Sequence, residues 1–231
     1  MIEDCTAIIL AGGDSQRMGR DKANMLLGDQ TLLQRVIATM QQIFPHVIVS
    51  VRQPRPEINL LQICDEQPDS GPLAGLVASL GHVTTPWAFA VACDMPFVVP
   101  SMVEYLASYR SKPPSVPPCQ GENQGRRLRL SPDKGVRGLG RLEGVGSQAV
   151  VPIVQEHPQP LAAFYASSCL AAMREHLADS GKKSLRAVLE QLQVRYVDDA
   201  ELLRVDPELR SFFDLDTPQD VALVMNKGLK T

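Results

Sequence analysis

Two adjacent glycines trailed by three cations, and a lone aspartate at the end of an apolar run, are the residues of this 231-residue chain best suited to chemistry. Leu10-Ala11-Gly12-Gly13 closes a β-branched stretch, and Arg17, Arg20 and Lys22 follow within nine residues of Gly13. Glycine lets backbone N–H groups approach a ligand with no Cβ in the way. Arginine grips phosphate oxygens with a planar fork, and lysine supplies a point charge. The combination suits a nucleoside triphosphate. It is neither a P-loop, because Gly19 is followed by Arg20-Asp21, nor a dinucleotide fingerprint, because Gly12-Gly13 lacks the G-x-G-x-x-G spacing. Asp94 ends the apolar run Ala88–Cys93, and Met95-Pro96-Phe97 turns the chain after it. A single carboxylate beside a polyphosphate suits Mg²⁺, which binds through one or two carboxylates plus phosphate oxygens. Capping the Pro96 turn is the other role open to it.

Further candidates follow along the chain. Asp65 ends the short run Leu61–Cys64, with Glu66 and Asp69 nearby, so it reads either as a site residue or as an ordinary loop carboxylate. Gly71-Pro72-Leu73-Ala74-Gly75 places a turn before a helix N-terminus, whose free N–H groups can meet a base carbonyl or an anion, or can simply be capped. Phe213-Asp214-Leu215-Asp216-Thr217-Pro218 carries two more acids. Arg126, Arg127, Arg129, Arg137 and Arg141 lie in a stretch where cations are most often solvated, and His157 stands beside Pro158. No Ser-His-Asp arrangement or base-activated cysteine is recognisable.

The run L-A-G-G-x-S-x-R-M-G-x-D-K-A at 10–23, C-D-M-P-F at 93–97 and G-P-L-A-G at 71–75 together resemble the molybdenum cofactor guanylyltransferases of the MobA type. The likeness spans the chain except for about 112–146. It implies an α/β nucleotidyltransferase that moves GMP from GTP to Mo-molybdopterin, with Mg²⁺ as cofactor and pyrophosphate as the second product. Carried onto this sequence, it implies catalytic roles for Arg17, Lys22 and Asp94. It implies nucleotide contacts from Leu10, Ala11, Gly12, Gly13, Lys22, Asp65, Gly75 and Asp94, with the metal on Asp94. Asp214 and Asp216 stand where the family usually has asparagines facing the pterin, which makes them departures in the acceptor contacts, and Asp216 could instead join Asp94 at the metal. Ser50 stands where a nucleotide-contacting asparagine can occur. The resemblance also implies molybdenum-cofactor assembly proteins and apo-molybdoenzymes as partners. Two alternatives remain: a CTP-dependent enzyme of the same fold acting on the pterin or a sugar phosphate, and a non-catalytic pterin carrier. A carrier has no need of a Lys22 and Asp94 pair.

These residues require a scaffold, and the pattern predicts a single α/β domain with a mostly parallel, doubly wound sheet. Residues 6–10, 47–51, 61–64 and 87–92 read as strands, the longer ones continuously apolar as in sheets covered on both faces. Thr31 with Gln34 predicts a capping box opening a helix that Pro45 ends. Residues 73–80, about 168–178 and 184–192 read as helices, 149–154 and 161–165 as strands, and Thr217-Pro218 as the start of a final helix. The β-α-β alternation puts ligands beyond the carboxyl ends of the strands. Residues 112–146, rich in proline, glycine and arginine, read as a long exposed insertion.

A 44% hydrophobic content supports a sizeable core, and a net charge of −3 gives no bulk attraction to nucleic acid or an anionic membrane. Cys5, Cys64, Cys93, Cys119 and Cys169 are scattered, odd in number and without a C-x-x-C pair, which predicts free thiols. The acidic start Met1-Ile2-Glu3-Asp4 lacks the order of a secretion signal, so a cytoplasmic location is expected.

Overall fold

The continuous apolar run Cys5–Leu10 forms β1, buried on both faces and set between two parallel neighbours. On one side lies β4 (His46–Val51), followed outward by β5 (Leu61–Cys64); on the other lies β6 (Trp87–Ala92). The computed structural model describes residues 1–12, 21–64, 71–110, 146–179, 184–215, 217 and 219–222. Beyond β6 the sheet continues through β9 (Ala162–Ala166) and β7 (Ala149–Val154) to β10 (Val194–Val197). On this path β9 alone runs against its neighbours, while β10 is parallel to β7. The sheet is therefore mostly parallel, with one reversed strand that the sequence reading did not include. The reason is the connection: residues 155–161 turn through the short β8 (His157–Pro158), too few for the crossover of a dozen or more residues that parallel pairing needs.

Helix α1 (Leu32–Ile43) starts at the expected capping box, Thr31 with Gln34, and buries Leu33, Val36, Met40 and Ile43. A small hairpin of β2 (Leu26–Leu27) and β3 (Gln30–Thr31) precedes it, turning at Gly28 with φ +71°. Helix α2 (Gly71–Leu80) crosses from β5 back to β6, so a right-handed connection places it on the face opposite α1. The packing agrees. Leu10 and Ser50 approach α2 at Gly75, whereas Phe89, on the other face, stacks against Phe44 after α1 with ring centroids 5.6 Å apart.

Helices α3 (Pro100–Ala107), α4 (Cys169–Ala178), α5 (Leu185–Leu189) and α6 (Asp199–Leu202) complete the layers. Thr217 and Asp220 bond each other's backbone N–H groups, as expected for the start of the last helix. Residues 111–145, which hold nearly all of the Pro/Gly/Arg-rich stretch, lie outside the described residues. No helix among the described residues is long and apolar enough to cross a membrane.

Candidate active site

Strand order reverses at β1, because β4 and β5 extend to one side and β6 to the other. Beyond the carboxyl ends of β1 and β6 lies a cleft of about 360 Å³. Such a switch point is where open α/β sheets hold ligands. The strands carry the floor directly: Ala11 N–H donates to the Ser50 carbonyl at 2.9 Å, and Cys93 N–H to the Leu10 carbonyl at 3.1 Å. Leu10, Ala11, Gly12, Gly75 and Asp94 all line this cleft.

Lys22 reaches it from a single 3₁₀ turn, Lys22–Asn24, capped by the Asp21 carboxylate, which accepts from Ala23 N–H. Ala23 is buried, so the turn is sewn to the core while the lysine side chain points into the cleft. Lys22 Nζ donates to Asp94 Oδ2 at 3.2 Å. Asp94 itself follows β6, and its side chain is 19% exposed. Among the described residues its carboxylate accepts nothing from the Met95-Pro96 turn, so the geometry sets it towards the lysine and the cleft and not into a turn cap.

Glycine serves different ends at the two positions that line the cleft. At Gly75 an added Cβ would lie 2.5 Å from Ser50 Oγ and 3.3 Å from Leu10 Cδ2, so close helix–strand packing demands glycine. At Gly12 a Cβ would meet nothing nearer than 3.5 Å among the described residues, which is ordinary contact. Packing of the described residues therefore does not require glycine there, and its bare backbone leaves room for a ligand to approach.

The far wall comes from later in the chain. The segment Pro158–Leu161 lines the cleft, and the Leu161 carbonyl accepts from Ala92 N–H at 3.2 Å. Leu215 N–H donates to the Asp94 carbonyl at 2.9 Å, while its side chain is buried against Leu27, Leu32 and Phe97. Asp214 consequently stands at the cleft beside the Asp94 segment. Arg186 of α5 lines the same wall and makes no ion pair among the described residues. Of the expected site residues, Gly13, Arg17, Asp65 and Asp216 lie outside the described residues. Arg186 and the two arginines of the β4–β5 loop were not singled out from sequence, since isolated arginines carry no spacing signal, while Ser50, noted only as standing where an asparagine can occur, lines the cleft.

Cys93 adjoins Asp94 yet is no nucleophile: burial, with the negative charges of Asp94 and Asp21 adding to it, pushes its thiol up to about 12. The described residues fit a magnesium ion that takes few protein ligands. They hold no cluster of three metal-ligating side chains, so they form no all-protein cage. One accessible carboxylate, Asp94, with Asp214 on the same cleft, matches an ion completed by phosphate oxygens and water.

A glycine-edged cleft at a sheet's switch point, lined by a paired lysine and carboxylate, is the kind of site an α/β enzyme of nucleotide phosphates carries. The chain belongs to the MobA-like NTP transferase family, whose domain model matches residues 7–196, and it is a nucleotidyltransferase. It is similar to a probable molybdenum cofactor guanylyltransferase of Chloroflexus aggregans, 32% identical over 229 residues, covering 95% of this chain and 92% of that one. A molybdenum cofactor guanylyltransferase of Desulfosudis oleivorans is 27% identical over 94% of this chain and 92% of that one. Among solved structures, molybdopterin-guanine dinucleotide biosynthesis protein A from Archaeoglobus fulgidus superposes with a TM-score of 0.72 at 23% identity, covering 98% of this chain and all of that one. The 2-C-methyl-D-erythritol 4-phosphate cytidylyltransferase of Thermus thermophilus shares the fold at TM-score 0.57 and 13% identity, over 96% and 98% of the two chains. The fold by itself therefore does not select the base.

Proposed function

We propose that this enzyme transfers GMP from GTP to the terminal phosphate of Mo-molybdopterin, forming the guanine dinucleotide cofactor and pyrophosphate. The observation that carries the reading is the Lys22–Asp94 pair facing Gly12 across the cleft at the sheet's switch point. The names borne by its relatives supply the acceptor and the base.

The triphosphate would lie along the Gly12 backbone, with Lys22 leaving Asp94 to neutralise phosphate oxygens. Gly13 and Arg17 would extend the same segment. The base would enter towards the Gly71–Gly75 start of α2, whose first N–H groups lack helical partners. Asp65, just past β5, would contact the nucleoside. Asp94 is the residue that would hold the magnesium ion, whose charge would offset the negative charge that builds up during transfer. The acceptor would enter along Pro158–Leu161, between Arg186 and Asp214, with Asp216 as a further pterin contact. Arg186 and Lys22 are the cations among the described residues lining the cleft, so each could take one of two anionic substrates. Direct in-line attack by the acceptor phosphate on the α-phosphorus then needs positioning and charge neutralisation but no covalent enzyme intermediate.

The test is pyrophosphate release from GTP or CTP with magnesium and Mo-molybdopterin. GTP should win by at least about a hundredfold in kcat/KM, since a mismatched base leaves buried partners unmet at about 1–3 kcal/mol each. Preference for CTP, or no turnover with either nucleotide, would overturn the reading.

A further inference from the structure

The two described ends of the glycine-rich segment, residue 12 and residue 21, are both held by one loop. After β4 the chain runs from Arg52 to Leu60 before entering β5. Arg52 Nε donates to the Gly12 carbonyl at 2.7 Å. Three residues on, the Arg55 guanidinium spans two acceptors: Nη1 donates to Asn24 Oδ1 at 3.0 Å, and Nη2 pairs with Asp21 Oδ2. Asp21 and Asn24 bracket the turn that carries Lys22, and they are themselves joined by Asn24 Nδ2 to Asp21 Oδ2 at 3.2 Å.

The loop is anchored in turn. Gln62 of β5 accepts from Arg55 N–H at 2.8 Å and donates to the Arg55 and Ile58 carbonyls at 2.9 and 3.0 Å. The Arg55 side chain is 15% exposed and that of Asp21 43%, so the guanidinium is largely packed in while its partner carboxylate faces solvent. This is an arrangement for a planar fork. A lysine ammonium offers its donors from one nitrogen and lacks the rigid fork that reaches Asn24 and Asp21 from separate nitrogens.

We infer that Arg55 is a positioning residue of the nucleotide site: through Asp21 and Asn24 it fixes the turn that aims Lys22 across the cleft, while Arg52 fixes Gly12. The inference rests on the proposed nucleotide reading of the Gly12–Lys22 segment. Arg55 touches no substrate in this account. It lowers the cost of ordering Lys22 when a triphosphate binds, because the backbone is already in place.

The experiment measures the GTP dissociation constant, with magnesium, for the full-length wild type, Arg55→Ala, Arg55→Lys, Lys22→Ala and the Arg55→Ala/Lys22→Ala double variant, with a melting curve for each. Arg55→Ala is expected to weaken GTP binding about tenfold and Arg55→Lys to fall between it and the wild type. Adding Arg55→Ala to Lys22→Ala should change binding less than twofold, because residues acting through one contact are not additive. A merely structural role would not produce that loss of additivity. Wild-type binding by Arg55→Ala, or an undiminished tenfold effect in the Lys22→Ala background, would overturn the inference. If Arg55→Ala does not fold, Arg55→Lys carries the same comparison. If the wild type itself fails to bind GTP, the proposed function falls and the inference with it; binding by the wild type with no effect at Arg55 removes the inference alone.

Discussion

Adding one methyl group at Gly75 tests whether helix α2 is seated on β1 and β4 as described. In Gly75→Ala the new Cβ would sit 2.5 Å from Ser50 Oγ, 0.9 Å inside the 3.4 Å at which ordinary contact begins. Ser50 is 2% exposed, so the hydroxyl has little room. Two escapes exist. The hydroxyl can turn to a poorer rotamer, at about 0.5–1.5 kcal/mol, or α2 can move outward, at about 1–3 kcal/mol for an overpacked contact. Either way the substitution should cost about 1–3 kcal/mol. That lowers Tm by roughly 2–10 °C for a domain of this size. Removing the hydroxyl isolates the cause, because in Gly75→Ala/Ser50→Ala the nearest remaining neighbours are Leu10 Cδ2 at 3.3 Å and Ser50 Cβ at 3.7 Å. The double variant should regain most of the lost Tm in differential scanning calorimetry, measured beside Ser50→Ala alone. A single variant that melts with the wild type, or a double variant no better than Gly75→Ala, would refute the packing argument.

Three other substitutions probe the site and its frame. Asp94→Asn should keep Tm within a few degrees, since the pair it breaks is partly exposed, yet cut turnover on the order of a thousandfold; near-normal turnover would remove Asp94 from the chemistry. The buried Cys93 thiol is pushed up from 9.0 to about 12, so its contribution to stability is complete below pH 9 and is lost as pH rises from 9 towards 12. Cys93→Ala should flatten the fall in Tm above pH 9, by at most about 1.4 kcal/mol per pH unit, and parallel profiles would argue against that burial. Glu156, with φ +66° in an exposed turn beside the cleft wall, holds a left-handed conformation that costs an L-residue about 1–2 kcal/mol. Glu156→Gly should raise Tm by a few degrees, and a drop in Tm would show that the side chain earns its place.

The parts that frame the cleft were readable because they obey local rules. Six-residue apolar runs such as β1 and β6 are too short for a typical helix and fit a strand covered on both faces, and Thr31 with Gln34 writes the start of α1 in two side chains. The reversal of β9 was not read, because Ala162–Ala166 is buried whichever way it runs. Its signal lay in the short connection from β7, where residues 155–161 leave no space for a crossover. Helix α3 had a signal too, in Pro100 at the first turn with Met102, Val103 and Leu106 at helical spacing. The two roles of glycine at 12 and 75 could not be separated from sequence, since only the neighbours of a missing Cβ distinguish them. Arg52 and Arg55 carried no signal in the sequence, because their partners lie 40 and 34 residues away along the chain.

The bond from Leu215 N–H to the Asp94 carbonyl has a consequence for the order in which the enzyme matures. Four strands of the main sheet, together with Gly12 and Lys22, are complete once residue 92 has been synthesised, so this half can collapse early on the ribosome. The segment bearing Asp94 receives its last backbone tether from a residue 121 positions later, whose side chain must also bury itself beside Leu27 and Leu32. Chains that stop short of this residue can hold the phosphate-facing half yet lack a fixed carboxylate. On the proposed function, an unfinished or clipped copy would thus bind nucleotide without transferring it.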